Sequence, residues 1–450
     1  MSDRPRKSIV IVGGGATGVI LAAHLMRRRD DGFRVTLIEK REEVGRGLAY
    51  STTLPSHRLN VIAERMSAYA DDPLHFSRWF TAEHPDAIGA SQFFAERSEY
   101  GRYLSELFAE LLSFEASSGR LRRIEAQCTR IQPAGSGLDV QVSDGTSLAA
   151  HAVVLATGHV LDGLSELDVA TRLDSAEDTP VDSRSRIVVL GTGLSMIDAW
   201  LSLRHRGHVG EIVAVSRRGL LPHPHARQRN PIRLDVADIP LGTELSYFVR
   251  WFAELIEETE RAGGDWRDVI DGIRPFNQQI WRDWPATAKR RFLEHTKAWW
   301  DIHRHRIPSG IYAEAEKALA AGDLKLLAAK VVGCRKLDDG SIELSLRRRG
   351  AAAVDVLSCS RVYDCSGFVK DVSRTSTEPL HSLFQQGLAR TDPLRISLDV
   401  TPDCAVVDAA GRPSTKLFAA GPLTRGTFFE VDSVPDIRLQ AARLAEIVTR

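Results

Sequence analysis

The sequence predicts an α/β fold with two Rossmann-like dinucleotide-binding domains, the second of which carries a helical insertion. A buried strand, a glycine turn, a helix and a second strand follow one another near the N-terminus, and the same series recurs from Arg186. The chain has 450 residues. Because single cores stop growing at roughly 250–300 residues, at least two domains are expected.

The first series contains the turn GGGATG, which matches G-x-G-x-x-G at Gly13, Gly15 and Gly18. In this motif the first glycine allows the tight turn, the second lets a pyrophosphate approach the backbone, and the third lets helix and strand pack closely. Glu39 ends the next strand, where a carboxylate accepts hydrogen bonds from a ribose diol. A purely structural glycine turn is the alternative to a nucleotide site. The predicted contacts are Gly13, Gly15, Ala16, Thr17, Gly18, Glu39 and Lys40.

The second series contains GTGLSM, which keeps Gly191 and Gly193 but has Met196 in place of the third glycine. The following strand ends in Arg217 and Arg218. Arginines suit the 2′-phosphate of NADP, whereas a carboxylate would repel it. NADP(H) is therefore favoured over NAD(H), with Gly191, Gly193, Ser195, Arg217 and Arg218 as contacts. Alternatively, the arginines form a solvated turn and this half binds no nucleotide.

The domain borders follow from changes in composition along the chain. From about 220 to 320 the sequence is rich in Trp, Arg and His at helical spacing, which indicates a helical insertion. A small β-meander is expected between the two halves, and a final helix is expected to start at Ser433. One domain is expected to comprise residues 1–170 and 350–450, and the other residues 171–350 with the insertion.

Charge and hydropathy limit the partners. The formal net charge is zero, so there is no electrostatic reason to expect nucleic acid or an anionic membrane. The apolar run at the N-terminus is interrupted by glycines, and no stretch approaches the roughly 20 apolar residues of a membrane span. We expect a cytoplasmic protein that acts on a small molecule. The sequence leaves its oligomeric state open.

Family resemblance rests on these two halves together with ATG at residues 156–158 and AAGP at residues 419–422. The whole pattern looks like that of the two-dinucleotide-binding flavoproteins with a glutathione-reductase-like architecture. More narrowly, GRGLAYSTTLPSHRLNV, MSAYADDPLHFSRWF, SRRGLLP and WWDIHRHR resemble a bacterial family of FAD/NAD(P)-binding proteins. The resemblance implies FAD in the domain formed by residues 1–170 and 350–450, and NAD(P)H in the domain formed by residues 171–350.

Among characterised flavoproteins, the N-hydroxylating monooxygenases are the best guide. DPLHFS at residues 72–77 and RSEYGRYL at residues 97–104 look like two flavin-side segments of that class. Two motifs depart from related patterns. The late ATGY-type motif is here DCSGF at residues 364–368, and the Baeyer–Villiger signature is missing between Gly158 and Gly191.

The resemblance also implies flavin contacts outside the first turn. GPLTRGTFFEVDSVP is placed beside the isoalloxazine, where the N-terminus of the last helix would stabilise negative charge on the reduced flavin. The implied contacts are Gly47, Asn60, Thr157, Gly158, Gly421, Pro422 and Phe428.

The five cysteines are scattered and never spaced as C-x-x-C, so neither a disulfide framework nor a zinc site is predicted. Disulfide-reducing flavoenzymes need a close pair of cysteines after the first Rossmann unit, and residues 41–50 contain none. No catalytic triad or carboxylate pair emerges either. The flavin itself is expected to carry the chemistry.

The insertion contains the cluster WWDIHRHR at residues 299–306. Its cationic side chains either clamp a carboxylate or phosphate, or form the hydrated face of a helix whose tryptophans are buried; the second is favoured. A metal site made from the histidines of this cluster with His223 and His225 is disfavoured, because no nearby carboxylate or cysteine completes a ligand set at a known spacing. Trp281 and Trp284 are expected in the core.

We therefore expect an oxidoreductase in which NADPH reduces FAD, and O₂ then oxygenates a small amine-bearing substrate. One rival is a flavin dehydrogenase or oxidase with a structural second half. The other is a non-catalytic flavoprotein that acts as a redox sensor. Candidates for the reacting edge of the flavin are Asn60, Trp300, His303, Arg304 and Phe428.

Overall fold

The computed structural model describes residues 6–30, 32–85, 93–160, 167–173, 178–225, 230–367 and 371–450. The chain divides into two compact units. The first comprises Met1–Asp162, Asn277–Arg282 and Val369–Arg450, and the second comprises Gly163–Phe276 and Asp283–Phe368. The main borders thus lie at 162/163 and 368/369, where the sequence analysis placed them at 170/171 and 349/350.

The first unit is built on a six-stranded sheet with the order β15-β16-β7-β1-β2-β3, in which every neighbouring pair is parallel except β15 with β16. Its strands, numbered in chain order, are β1 (Lys7–Val12), β2 (Phe33–Glu39), β3 (Leu121–Glu125), β7 (Ala152–Leu155), β15 (Ala405–Val407) and β16 (Pro413–Ala419). The expected meander is a separate antiparallel sheet of β4 (Cys128–Ala134), β5 (Gly137–Val142) and β6 (Ser147–Ala150).

Six α-helices of the described ranges belong to this unit. They are α1 (Ala16–Met26), α2 (His75–Glu83), α3 (Arg97–Phe114), α7 (Asn277–Asp283), α11 (Leu380–Gln385) and α12 (Val434–Thr449). Helices α1 and α3 contact the large sheet, and α11 contacts the meander. Helix α1 is apolar on nearly all sides because β1, α3 and α12 pack around it. Helix α12 begins after Ser433, and its predicted buried face is confirmed at Ile437, Ala441, Leu444 and Val448.

The second unit is built on a seven-stranded sheet with the order β13-β12-β11-β10-β9-β14-β8. Its strands are β8 (Ala170–Thr171), β9 (Ile187–Leu190), β10 (Ile212–Ser216), β11 (Leu324–Lys336), β12 (Ile342–Arg348), β13 (Val354–Cys359) and β14 (Arg361–Asp364). Strand β14 pairs in parallel with β9. This pairing explains why the C-terminal border lies beyond residue 350. Strands β8, β14, β9, β10 and β11 are parallel neighbours, whereas β12 and β13 are added antiparallel. The predicted α/β class with two Rossmann-like domains is confirmed.

Helix α4 (Leu194–His205) follows the turn after β9. The predicted insertion lies between β10 and β11, and its helices lie between Leu245 and Ala321. They begin later than the predicted start at about 220, because the described residues 220–225 and 230–244 contain one 3-10 turn, Val236–Asp238, and no α-helix. Its helices are α5 (Leu245–Arg261), α6 (Trp266–Ile273), α7, α8 (Ala286–Arg291), α9 (Lys297–Arg304) and α10 (Ser309–Ala321), with a π-helical turn at Phe292–Thr296. No helix in the described ranges is long and apolar enough to cross a membrane.

Candidate nucleotide-binding sites

The glycine turn of the first unit lies at the carboxyl end of β1. Gly13 has φ +106°, and a Cβ atom there would lie 2.5 Å from the carbonyl oxygen of Ala156. A Cβ at Gly18 would collide with the carbonyl oxygen of Gly13. At Gly15, by contrast, a Cβ would meet only the Cα of Gly47, at an ordinary 3.5 Å. Packing thus requires the first and third glycines, whereas the second leaves open the side from which a ligand approaches.

Glu39 lies beside this turn at the end of β2. Its Oε2 accepts a hydrogen bond from the Gly14 N–H at 2.7 Å, and its Oε1 accepts one from the Arg41 N–H at 3.0 Å. Each carboxylate oxygen keeps a further lone pair. Gly15 is the N-cap of α1, and no side chain among the described residues caps that helix end. The turn therefore combines a fixed carboxylate with helix N–H groups suited to an anion.

The neighbouring parallel strands end at the same edge. After β7, Thr157 is exposed, and Gly158 has φ +76° with open space where a Cβ would stand. After β16, Gly421 has φ +67°, and a Cβ there would lie 2.5 Å from Oγ1 of Thr17. The structure thus brings the ends of β1, β2, β7 and β16 together at the first turn.

The other predicted contacts of the first unit differ in how exposed they are. Lys40 is exposed, Asn60 is half-buried, and Ala16 packs against the core. Pro422 is buried, and Phe428 is only 7% exposed within the hydrophobic core. The ring of Phe428 therefore packs among apolar side chains and does not lie at an open edge.

The start of α12 carries its own negative charge. Asp436 lies in the first turn, and its carboxylate accepts a hydrogen bond from Oγ of Ser433. A carboxylate in this position already interacts favourably with the positive end of the helix dipole. Asp436 thus already occupies the helix end that was predicted to stabilise negative charge on the reduced flavin.

The segment before α12 is held by α7, a role that sequence analysis missed. The indole N–H of Trp281 donates to the Gly426 carbonyl oxygen at 2.8 Å, and its ring stacks on Phe429 with centroids 4.7 Å apart. Asn277 donates to Glu430. The predicted core positions of Trp281 and Trp284 are confirmed at 1% and 6% exposure. No local sequence pattern of α7 indicates that it contacts the segment before α12.

His159 directly follows Gly158 and lines a small cavity with Pro422, Arg425 and Ser397. Burial lowers the pKa of His159 to about 4; Asp432 opposes this shift and Arg425 adds to it. The imidazole is therefore neutral at pH 7. His159 is not among the predicted site residues, although it directly follows the ATG motif in the sequence.

The turn of the second unit repeats the division of roles seen in the first. Gly191 has φ +107°, and a Cβ there would collide with the Cys365 carbonyl oxygen. A Cβ at Gly193 would meet nothing within 4 Å, and this residue is the N-cap of α4, which no described side chain caps. Met196 is fully buried where the first unit has Gly18. The third position of this turn therefore holds a side chain that packs in the core of the second unit.

Beyond this turn, Ser195 is exposed, and its carbonyl oxygen accepts a hydrogen bond from Sγ of Cys365 at 3.4 Å. Thr192 and Ser216 share a 3.0 Å hydrogen bond between their hydroxyls, which joins the turn to the end of β10. The second turn and the end of β10 are thus held together.

The two arginines after β10 differ. Arg217 is exposed and makes no hydrogen bond or ion pair within the described ranges. Arg218 donates from Nη2 to the carbonyl oxygen of His295 at 2.5 Å, and its guanidinium lies 5.7 Å from the centre of the Trp299 ring. Arg217 is the one with an unengaged guanidinium.

The 299–306 cluster does not have the predicted hydrated basic face. Arg304 and Arg306 are 8% and 2% exposed, whereas Trp299 is 42% exposed. Arg306 forms an ion pair with the buried Asp271 of α6. A buried guanidinium requires such pairing, and the partner is too distant in sequence to be predicted from the helical pattern.

The remaining candidates from this cluster lie in the same unit. Trp300 is half-buried, with its ring 6.2 Å from that of Phe252. The Nδ1–H of His303 donates to the Trp299 carbonyl oxygen at 2.7 Å, and the His303 ring lies 4.7 Å from that of His223. No group of three or more potential metal ligands occurs among the residues that the structure describes.

All five cysteines are described and free. Burial raises the thiol pKa of Cys128, Cys365 and Cys404 to about 12 and that of Cys359 to about 11. These thiols are protonated at neutral pH and are poor nucleophiles.

Comparison with known proteins agrees with this geometry. Residues 10–160 match a family model described as FAD-NAD(P)-binding, so this region is an FAD/NAD(P)-binding domain. No protein with a curated description is significantly similar in sequence.

The fold is similar to that of several solved hydroxylases and monooxygenases. The ornithine N-hydroxylase of Kutzneria sp. 744, solved with reduced FAD, NADP⁺ and L-ornithine, is 15% identical, with a TM-score of 0.66 and 99% of both chains covered. The cadaverine monooxygenase of desferrioxamine biosynthesis from Erwinia amylovora, solved with FAD, is 15% identical, with a TM-score of 0.64 over 99% of this chain and 94% of that one. The ornithine hydroxylase of Pseudomonas aeruginosa is 15% identical, with a TM-score of 0.60 and 99% of both chains covered.

Proposed function

We propose that the protein is an FAD-dependent oxidoreductase that takes its electrons from NADPH. One observation carries this proposal: both glycine turns have the same design. In each, packing requires the first glycine, Gly13 or Gly191, while the second, Gly15 or Gly193, has no crowding neighbour and begins an uncapped helix. Two such turns provide two pyrophosphate sites.

FAD is assigned to the first unit, which contains the family match at residues 10–160. The backbone N–H groups of Gly15, Ala16 and Thr17 would hold the pyrophosphate, and Glu39 would accept the ribose hydroxyls. The bound flavin would accept hydride from NADPH and pass electrons onward. The remaining proposed contacts or supports of this site are Lys40, Gly47, Asn60, Thr157, Gly158, Gly421, Pro422 and Phe428.

NADP(H) is assigned to the second unit. Gly191, Gly193 and Ser195 would approach its pyrophosphate. Arg217 supports the choice of NADP over NAD, because an exposed guanidinium at the end of β10 has donors available for a 2′-phosphate. Arg218 already donates to His295.

We extend the proposal to N-hydroxylation of a small amine. In that reaction the amine and O₂ react with NADPH and a proton, and the products are the N-hydroxylamine, NADP⁺ and water. The fold shared with ornithine and cadaverine enzymes supports this choice. The raised thiol pKa values weigh against disulfide reduction as the alternative.

The test begins with FAD uptake by the purified protein. A protein that stays colourless after reconstitution with FAD would overturn the whole proposal. Anaerobic mixing with NADPH should bleach the flavin rapidly, whereas slow bleaching would favour a dehydrogenase or oxidase that obtains hydride from its substrate. Ornithine, lysine and cadaverine should then each be tested for O₂ consumption and hydroxylamine formation. If no amine stimulates O₂ consumption, a redox-sensing role is favoured.

A further inference from the structure

Trp299 is unusual among the tryptophans of this chain. All eight lie in the described ranges, and Trp299 is the only one that is exposed, at 42%. A single exposed aromatic residue needs no explanation by itself. The position of Trp299 is more informative, because the centre of its ring lies 5.7 Å from the guanidinium of Arg218, just beyond the end of β10.

This contact lies within the second unit and is held from the Arg218 side. Arg218 donates to the His295 carbonyl oxygen in the π-helical turn that precedes α9, the helix that carries Trp299. The Arg218 side chain is therefore engaged with the insertion, while the neighbouring Arg217 is unengaged.

The chemistry of the adenosine end of NADP explains such an arrangement. Its 2′-phosphate and its adenine are attached to adjacent carbons of one ribose. If Arg217 binds the phosphate, the base lies close by and needs a flat apolar surface. A tryptophan ring supplies that surface, since a base of any identity stacks on an aromatic side chain.

We propose that Trp299, supported by Arg218, is the adenine-stacking platform of the NADP(H) site. In this proposal the insertion contributes a side chain to the nucleotide site. This inference rests on the proposed function, because it takes the second unit to bind NADP(H).

The experiment measures binding of 2′,5′-ADP to the FAD-loaded protein by calorimetry and by quenching of tryptophan fluorescence. Trp299→Ala should weaken binding about tenfold or more, as expected for loss of one stacked base. Trp299→Phe should retain most of the affinity while losing most of the quenching. Tyr247→Ala is the matched control, because Tyr247 is an exposed aromatic residue on α5 of the same unit, at 53%. It should leave binding unchanged.

The outcomes separate the two proposals. If 2′,5′-ADP binds equally well to the wild type and to Trp299→Ala, the platform is refuted and the NADPH-dependent function stands. If the wild type binds no 2′,5′-ADP and NADPH does not reduce its flavin, both proposals fall. Equal weakening by Tyr247→Ala would also refute the platform, because the effect would then be unspecific.

Discussion

The side-chain amide of Asn277 donates a hydrogen bond to Oε2 of Glu430 at 3.0 Å, and both residues are at least nine-tenths buried. They are 153 positions apart in sequence. Glu430 has φ +62°, a left-handed conformation that costs a non-glycine residue of order 1 kcal/mol. Helix α7 therefore helps to stabilise a strained turn directly before α12, in the segment assigned to the flavin.

Replacing Asn277 by Ala should destabilise the first unit. The buried Glu430 carboxylate would lose a donor, which costs about 1–3 kcal/mol. Urea unfolding should show this loss, and the variant should release FAD faster. Asn230→Ala is the control, because Asn230 is exposed and should change stability by less than about 0.5 kcal/mol. An Asn277→Ala protein as stable as the wild type would show that Glu430 does not depend on this bond.

Alanine substitutions at Gly15 and Gly18 should affect different properties: Gly18→Ala the stability of the protein, and Gly15→Ala its affinity for FAD. At Gly18 the new Cβ would meet backbone, so the apo-protein should lose about 3 kcal/mol or more. At Gly15 the nearest atom is 3.5 Å away and φ is −72°, so the apo-protein should keep its stability within about 1 kcal/mol. Its affinity for FAD should nevertheless fall at least about tenfold, because the Cβ occupies the side open to the pyrophosphate. Thermal unfolding without FAD and fluorimetric FAD titration measure the two effects. If Gly15→Ala binds FAD with normal affinity, the turn does not bind the pyrophosphate of FAD.

The sequence predicted features that depend on local pattern. The glycine turns, the meander and the buried face of α12 all follow from the spacing of neighbouring residues. Features set by distant contacts were not predictable. Whether a given arginine is buried depends on a partner such as Asp271 for Arg306, and no helical period reveals that partner.

The two sites differ in how far the sequence reaches. The first motif gave each glycine its own role, and packing indeed requires Gly13 and Gly18, while a Cβ at Gly15 would meet only an ordinary contact at 3.5 Å. Arg217 and Arg218, by contrast, look equivalent in sequence. They differ because the insertion returns to the end of β10 and engages only one of them.

Arg217→Ala should raise KM for NADPH about tenfold or more and leave KM for NADH nearly unchanged. The reason is that a charge-assisted hydrogen bond to the 2′-phosphate contributes about 1.5–3 kcal/mol and has no counterpart in NADH. Steady-state NAD(P)H oxidation measures both constants. Arg217→Lys is the matched variant and should retain part of the preference, because it keeps the charge but not the planar fork. An unchanged KM for NADPH in Arg217→Ala would exclude Arg217 from the phosphate site.

His159 should make the first unit less stable in acid. Its pKa is about 4 in the folded protein because of burial, and the ordinary value is 6.5. Between these two pH values the unfolded chain binds the proton more readily than the folded one, so stability falls as pH drops from 6.5 towards 4 and the loss is complete below 4. The shift corresponds to about 3 kcal/mol. Urea unfolding of the wild type and of His159→Gln at several pH values between 7.5 and 4 measures it. As the pH falls, the free energy of unfolding of the wild type should decrease by about that amount relative to that of His159→Gln. Parallel curves would mean that His159 titrates alike in both states, and the neutral imidazole assigned beside Gly158 would then be wrong.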